Sequence, residues 1–200
     1  MLKMYAPRYL EQEGQHLSRT IEPGPEFGQL FHSFEHTAFR LETRDLYKSA
    51  NEARALDQFT AGESVDMGWF QNWLSMIREA TSAGRRFSRV RVVSMPPTVY
   101  SRFGIFCSEY TNEAGEDIRY LRRDDAAGLP DYDYWLFDSR NLVRMHFDGD
   151  ENFLGGELIE DSAEIVQHNH WRDAAWHRAV RRDDFAIEAN DQHHRRSPSS

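Results

Sequence analysis

The stretch that decides the fold runs over residues 87–138 and contains three short apolar segments. They read Phe87-Ser-Arg-Val-Arg-Val-Val-Ser94, Asp117-Ile-Arg-Tyr-Leu121 and Asp131-Tyr-Asp-Tyr-Trp-Leu-Phe-Asp138. In the first, Arg89 and Arg91 alternate with valines at a period of two, which is typical of a strand with one apolar and one basic face. The aromatic run before Asp138 is too short for a helix and rich in strand formers. All three segments are therefore predicted to be β-strands.

The connection between the first two strands has the apolar pattern of a helix. From Thr98 to Tyr110 the aromatic residues recur at helical spacing, with Met95-Pro96-Pro97 before them and Gly115 after them. A strand, a helix and a second strand predict a right-handed parallel crossover. The third strand is followed by a tight turn and by residues 142–147, which together predict an antiparallel hairpin.

The rest of the chain continues this succession of helices and strands. Apolar residues spaced by three and four predict helices, whereas a period of two predicts strands. The predicted helices span about residues 27–39, 51–60, 66–82 and 162–180, and further strands span residues 40–45 and 153–159. This order predicts an α/β fold in which a single mixed sheet carries helices on both faces.

Composition suggests one folded domain with polar ends. Two hundred residues, of which 40% are hydrophobic, suit a single α/β domain, which we place at residues 26–180. Residues 1–25 are polar and are predicted to form an N-terminal arm that docks on the domain or on a second subunit, so a homodimer is one option. Residues 181–200 have no apolar period and are predicted to be a disordered polar tail.

Cysteine usage and hydropathy bear on the cellular location. The single cysteine excludes an internal disulfide framework, and a reducing cytoplasm is the simplest setting. No apolar run approaches the roughly 18 to 20 residues of a membrane span, and the N-terminus lacks the apolar region of a signal peptide. We therefore expect a cytoplasmic protein that makes no contact with a membrane.

The overall charge argues against a general nucleic-acid binder. The formal net charge is −9, whereas affinity for nucleic acids comes largely from neutralising phosphates. The arginines are nevertheless clustered between residues 85 and 123. If the first two strands pair, these arginines can share one face, and nucleic-acid binding is then a third, weaker hypothesis. The alternative is a solvent-exposed face on which the arginines form ion pairs with acids.

Charged residues on three predicted strands are candidates for a binding cleft. Arg40, Glu42 and Arg44 alternate with apolar residues on one strand, and Arg91 and Arg119 lie on two others. If these strands are neighbours, the five side chains line one cleft. Arginine forks beside a placed carboxylate suit a small anionic or zwitterionic ligand. A structural ion-pair network is the alternative explanation.

The predicted hairpin adds further candidates. Asp131 and Asp133 fall on the same side of a strand, where two carboxylates can bind a ligand or a divalent cation, although we favour a solvent-facing strand start over a cation site. Asp138 is expected to shape the turn. His146 is the histidine that we consider a candidate for ligand binding, with packing in the core or at its rim as the alternative.

Other reactive residue types lack the partners that catalysis requires. Cys107 lies on an aromatic helix face, which indicates a packed thiol rather than a nucleophile. His168 and His170 are two apart on a helix, so they cannot share a metal, and we expect both at the surface. The sequence contains no serine elbow, Walker loop, dinucleotide fingerprint or zinc cluster. No catalytic residue, cofactor or metal site is therefore predicted.

Four segments resemble a family of uncharacterised actinobacterial proteins, catalogued as a domain of unknown function. They are Phe39-Arg-Leu-Glu-Thr-Arg-Asp-Leu-Tyr47, Arg89-Val-Arg-Val-Val-Ser94, Ala114-Gly-Glu-Asp-Ile-Arg-Tyr-Leu121 and Tyr134-Trp-Leu-Phe-Asp138. Members of that family are often encoded beside helix-turn-helix regulators. The resemblance therefore implies a regulatory or signalling role and a helix-turn-helix regulator as a partner.

The element order also resembles, more distantly, one half of a phospholipase D-like domain. That family uses the pattern H-x-K-x-x-x-x-D, in which histidine is the nucleophile and lysine holds the phosphate. When Asp138 is placed on the aspartate of the pattern, Asp131 and Asp133 take the histidine and lysine positions. Two carboxylates there would repel a phosphodiester. The resemblance implies the scaffold of that half-domain without its usual chemistry.

Two hypotheses about function follow. The first is a non-catalytic binding module that acts with a DNA-binding regulator, a small anionic ligand or both. The second is a small enzyme with a repurposed cleft in a specialised-metabolite pathway, using Glu42 or a hairpin aspartate as acid or base. We favour the first because the resemblance implies a scaffold with both catalytic positions changed.

Overall fold

Eight strands form one mixed sheet in the computed structural model, which describes residues 18–187 and residue 189. The strand order is β1-β7-β6-β5-β2-β3-β4-β8. The strands are β1 (Ser18–Ile21), β2 (Thr37–Glu42), β3 (Arg86–Val93), β4 (Asp117–Arg122), β5 (Tyr134–Phe137), β6 (Asn141–Phe147), β7 (Phe153–Ile159) and β8 (Val180–Arg181). The α-helices are α1 (Pro25–Ser33), α2 (Ala53–Ala61), α3 (Gln71–Ser82), α4 (Val99–Ala114) and α5 (Ser162–Arg178).

The centre of the sheet is parallel and its flanks are antiparallel. Strands β2, β3 and β4 pair in parallel, and α4 makes the crossover from β3 to β4. Strand β5 pairs antiparallel with β2 and forms the hairpin with β6. The predicted α/β fold with a single mixed sheet, the parallel crossover and the hairpin are thus confirmed.

The two faces of the sheet carry different helices. One face packs an apolar cluster against α1, α3 and α4, with Phe31, Leu74 and Trp135 among its buried members. The other face packs Leu41, Val90 and its neighbours against α5. Period-two alternation sends Val90 and Val92 to the α5 side and therefore directs Arg89 and Arg91 to the side of α3 and α4. Within residues 18–187, no helix has the length and apolar character needed to cross a membrane.

The first helix ends earlier than the sequence pattern predicts. Helix α1 ends at Ser33, and residues 37–42, expected to be partly helical, form β2. The cause is Asp138, whose carboxylate accepts hydrogen bonds from the backbone N–H groups of residues 35, 36 and 37 at 2.7–2.9 Å. These contacts satisfy backbone donors that a continuing helix would use, and the chain turns into the sheet.

The sheet also extends beyond both predicted domain boundaries. Strand β1, expected to belong to an arm, pairs with β7 and buries Ile21. Strand β8 pairs with β4, and residues 182–187 are helical rather than disordered. Phe185 is buried and stacks on Tyr120 with ring centroids 5.0 Å apart. One aromatic residue among charges was too weak a signal to predict this docking. The other residues of the expected arm and tail, 1–17, 188 and 190–200, lie outside the described residues.

Candidate functional site

A cavity of about 520 Å³ lies on the face of the sheet that carries α1, α3 and α4. Strands β2 and β3 form its floor, and residues 47–52 close one side. Most of its wall is aromatic, with Phe31, Trp69, Phe70, Trp73, Phe103 and Trp135. The site therefore combines flat apolar walls with a floor of charged side chains.

Glu42 is the centre of the floor and contacts three arginines. Its Oε1 accepts from Nη1 of Arg89 at 2.7 Å and lies 3.2 Å from Nε of Arg40, while its Oε2 accepts from Nε of Arg91. Parallel pairing places Arg40 beside Arg89 and Glu42 beside Arg91. Because residues two apart on a strand face the same side, all four side chains meet on one face of the sheet.

Two further carboxylates lie behind the arginines. Glu116 accepts from Nε of Arg89 at 2.9 Å, and Asp133 accepts from Nη2 of Arg40 at 3.1 Å. Both acids are buried. The buried cluster thus contains three arginines and three carboxylates, which balances its formal charge as buried ions require.

Asp133 also anchors the segment that closes the cavity. Its Oδ1 accepts from the backbone N–H of Thr43 at 2.8 Å and from the Thr43 hydroxyl at 3.0 Å. Its Oδ2 accepts from the Tyr47 hydroxyl at 2.6 Å. With Arg40 included, four donors surround one carboxylate, which fixes the start of the segment to the hairpin.

The pKa values of the two acids that line the cavity are shifted in opposite directions. Burial alone would raise the pKa of Glu42, but its three arginine neighbours hold that pKa well below the ordinary value. Burial raises the pKa of Glu52, although the Tyr100 hydroxyl donates to its carboxylate at 2.8 Å. Glu42 is therefore a fixed anion, whereas Glu52 is the more easily protonated of the two.

Two hydrogen-bond donors of residues that line the cavity are buried without an acceptor. They are Nε1 of Trp69 and Nε of Arg40, which lies near Glu42 without the geometry of a hydrogen bond. A buried donor without a partner costs free energy. Both atoms have almost no accessible surface, so they face the protein interior and do not open onto the cavity.

The structure brings together three of the five predicted cleft residues, and the other two, Arg44 and Arg119, do not line the cavity. Arg40, Glu42 and Arg91 line the cavity. Arg44 lies beside it, donates to Glu151 and covers the ring of Phe147 at 5.0 Å. Asp133 lies beneath the floor, bonded to Arg40 as described.

Arg119 is on the wrong side of the sheet for the predicted common cleft. In the pairing of β3 with β4 it is opposite Val90, so it shares the α5 face with the valines. Its guanidinium stacks on Trp176 at 3.9 Å and pairs with Asp117 at 3.3 Å. The expectation that all the arginines of the two strands share one face is therefore corrected.

The remaining candidates also lie away from the cavity. Asp131 is exposed and precedes β5, so it does not face the same surroundings as the buried Asp133. His146 is exposed on β6, and its neighbours Met145 and Phe147 line the cavity instead. Among residues 18–187 and 189, no group of three or more histidine, cysteine, aspartate or glutamate side chains is placed to hold a metal ion.

His168 is buried, contrary to the prediction of two surface histidines. Its Nδ1 lies 2.7 Å from the carbonyl oxygen of Glu164, and its Nε2 lies 3.1 Å from the Tyr132 hydroxyl. Because a carbonyl only accepts, Nδ1 carries the proton and Nε2 accepts from Tyr132. Burial lowers the pKa of His168, so the neutral form is favoured.

Several residues of the site have no distinguishing signal in the sequence. Trp69 and Trp73 belong to an amphipathic pattern that predicts core packing, and they do pack against the core as well as line the cavity. Arg89 lies in a basic cluster without any indication of its partner. The one informative signal was period-two spacing, which aligns Arg40 with Glu42 and Arg89 with Arg91.

Comparisons with known proteins bear on the family of the chain. A model of a domain of unknown function, DUF6879, matches residues 25–187. The chain belongs to the DUF6879 family. A comparison of the sequence with curated proteins found no match. The described part of this DUF6879 domain, residues 18–187 and 189, therefore takes in all of the matched segment.

Several solved structures are similar to the DUF6879 chain in fold. NucT from Helicobacter pylori has a TM-score of 0.49 and 9% identity, covering 82% of this chain and 98% of that chain. Nuc, a phospholipase D family member from Salmonella typhimurium, has a TM-score of 0.49 and 9% identity, covering 82% and 96%. Phosphatidylserine synthase from Haemophilus influenzae has a TM-score of 0.41 and 12% identity, covering 82% and 38%.

Proposed function

We propose that this DUF6879 chain is a non-catalytic binding module that holds a small, flat organic molecule in the cavity. The observation that carries the proposal is an aromatic-walled cavity of about 520 Å³ above a buried arginine–carboxylate floor. That volume lies within the roughly 300–1,000 Å³ of small-molecule sites, which combine apolar walls with a few placed polar groups.

The cavity favours binding over a purely structural ion-pair network. Small-molecule sites are mostly apolar clefts in which a few placed polar groups fix the orientation of the ligand. A network that served stability alone could lie beneath packed side chains, whereas Arg40, Arg89 and Arg91 line an open cavity together with aromatic rings. This combination is better explained by a ligand.

The acids named for the enzyme hypothesis are poorly suited to proton transfer. Glu42 is held as an anion by three arginines, which keep its pKa far below neutrality. Asp133 already accepts from four donors. A general base works best with a pKa near the operating pH and with access to its substrate. These contacts support a binding role over the alternative of a small enzyme in a specialised-metabolite pathway.

We also propose that the module acts with a helix-turn-helix regulator in the cytoplasm of an actinobacterial cell. The support is the resemblance of the sequence segments and the single cysteine, which suits a reducing compartment. Affinity purification of the tagged chain from its host should recover a DNA-binding regulator. Recovery of none would remove this part of the proposal and leave the cavity unaffected.

The binding proposal is tested with two fused-ring probes, 2-naphthoate and 2-naphthylmethanol, by isothermal titration. We expect at least one probe to bind the native chain. Cys107→Phe fills the cavity from α4, where the thiol is 7% exposed, and should weaken binding at least tenfold. Val166→Phe adds the same ring to α5, where the side chain is 68% exposed, and should bind as the native chain does. Failure of both probes, or equal binding by a folded Cys107→Phe variant, would contradict the proposal.

A further inference from the structure

We infer that the ligand is a planar aromatic carboxylate, whose acid group is recognised by Arg91. This inference rests on the proposed function and specifies the chemistry of its ligand. Two features of the cavity support it: the aromatic rings of its wall and the terminal donors of the Arg91 guanidinium.

Three rings of the wall stack on one another, because Phe70 and Phe103 each lie at a small angle to Trp69. Trp69 and Phe70 stack with centroids 4.6 Å apart and an interplanar angle of 24°. Phe103 lies 6.3 Å from Trp69 at an angle of 27°. On the sheet side, Trp73 and Trp135 line the cavity with ring centroids 6.2 Å apart at an angle of 61°. Flat rings in such an array make their best contacts with another flat ring, offset-stacked or edge-on.

Arg91 presents a guanidinium that is only partly used by the protein. Its Nε donates to Glu42. A guanidinium carries five N–H donors, so donors on the terminal nitrogens remain. Gly104 of α4 lets this group lie directly against the helix, at the cavity wall. A fork of two terminal nitrogens matches the two oxygens of a carboxylate.

The charges around the cavity balance. Four cationic residues line it, Arg40, Lys48, Arg89 and Arg91, with two acids, Glu42 and Glu52. Two further acids, Glu116 and Asp133, are buried within hydrogen-bond distance of the arginines. A preference for an acid over a neutral ligand must therefore come from the hydrogen-bond geometry of Arg91 and not from net charge.

The test compares 2-naphthoate with 2-naphthylmethanol, which has the same rings and no charge, on the full chain at pH 7.5. We expect the acid to bind at least tenfold more tightly. Arg91→Gln should reduce this preference to about twofold or less. Circular dichroism and thermal midpoints establish that the variant is folded.

The possible outcomes distinguish the assignment of a carboxylate ligand from the proposed binding function on which it rests. Equal affinity of the native chain for acid and alcohol overturns the carboxylate class while the binding module stands, and this comparison needs no variant. An acid preference that survives in folded Arg91→Gln overturns the assignment of Arg91. Failure of both probes overturns the proposed function and the inference with it.

Discussion

The guanidinium of Arg91 occupies the space that a side chain on Gly104 would need. A Cβ atom at Gly104 would lie 1.9 Å from Nη1 of Arg91 and 3.2 Å from its Cζ. Gly104 is inside α4, where alanine normally stabilises a helix relative to glycine. The glycine is therefore explained by the close approach of a charged group and not by backbone conformation.

Gly104→Ala is predicted to displace Arg91 from Glu42. We expect a net loss of about 1–2 kcal/mol in the free energy of unfolding, because loss of contact in a buried ion cluster outweighs the gain of up to about 1 kcal/mol in helix propensity. Urea titration measures this difference. Gly28→Ala in α1 is the matched control, since a Cβ there meets no atom within 4 Å. It should be neutral or stabilising, and a stabilising Gly104→Ala would contradict the close approach.

Glu42→Gln is predicted to be among the most destabilising single changes in the cluster. It removes the carboxylate that three arginines share and leaves one buried positive charge without balance. Removal of one partner from a buried ion pair typically costs about 3–5 kcal/mol, and we expect a loss of that size in urea unfolding at pH 7. Glu26→Gln is the control, because Glu26 and its partner Arg19 are each 56% exposed. Its effect should not exceed about 1 kcal/mol.

The difference in the free energy of unfolding between the native chain and Glu42→Gln should also change with pH in a defined direction. The folded pKa of Glu42 is below the value of about 4.3 expected in the unfolded chain, so its stabilising contribution is present above that pH. It is lost as pH falls further, towards the folded pKa. The difference between native chain and Glu42→Gln should therefore be constant from pH 7 to about 5.5 and shrink below about 4.3. A difference that grows on acidification would be incompatible with this linkage.

Local patterns were sufficient to predict most of the fold. Alternation in residues 87–94, helical spacing in residues 99–110 and the turn after Phe137 each specify an element through neighbours in sequence. The end of α1 was mispredicted because its cause, the carboxylate of Asp138, is more than 100 residues away in sequence. Docking of Phe185 depends in the same way on a distant partner, Tyr120.

The site was harder to predict than the fold, because it depends on register. The period of two aligns Arg40 with Glu42, but only the pairing of strands places Arg89 with them and Arg119 on the other face. Burial of His168 depends on Tyr132 and on the packing of α5. A cavity forms where packed helices leave space unfilled, and no local pattern in the sequence encodes that. Aromatic residues at helical spacing predict a buried helix face, but the face can belong to the core or to a cavity wall.

His168→Gln is predicted to weaken the pH dependence of stability between pH 7.5 and 5.5. Because burial lowers its folded pKa below about 6.5, neutral His168 contributes stability above that pH and the contribution falls as pH decreases. The variant lacks this proton linkage, so its free energy of unfolding should decrease less on acidification. Urea titrations at three pH values measure the slope. His170→Gln, on an exposed position of the same helix, should keep the native slope, and parallel slopes for His168→Gln and the native chain would count against the burial.

Tyr47→Phe is predicted to loosen the segment that closes the cavity without removing its ring. The Tyr47 ring packs 5.4 Å from the guanidinium of Arg40, and a phenylalanine preserves that contact. The variant loses the 2.6 Å hydrogen bond to Asp133, a charged acceptor, which is worth about 1.5–3 kcal/mol. We expect a loss in that range, with faster hydrogen exchange at the amide of Thr43, which donates to the same carboxylate.

Tyr110→Phe is the matched control for the hydroxyl of Tyr47. Tyr110 is partly buried and packs its ring on Phe106 at 5.5 Å, and no hydrogen bond of its hydroxyl occurs among residues 18–187. Its removal should change the free energy of unfolding by less than about 0.5 kcal/mol. If the two variants lost equal stability, the ring and not the bond to Asp133 would hold the segment. If only Tyr47→Phe also accelerated probe association and dissociation in stopped-flow fluorescence, the segment would control entry to the cavity.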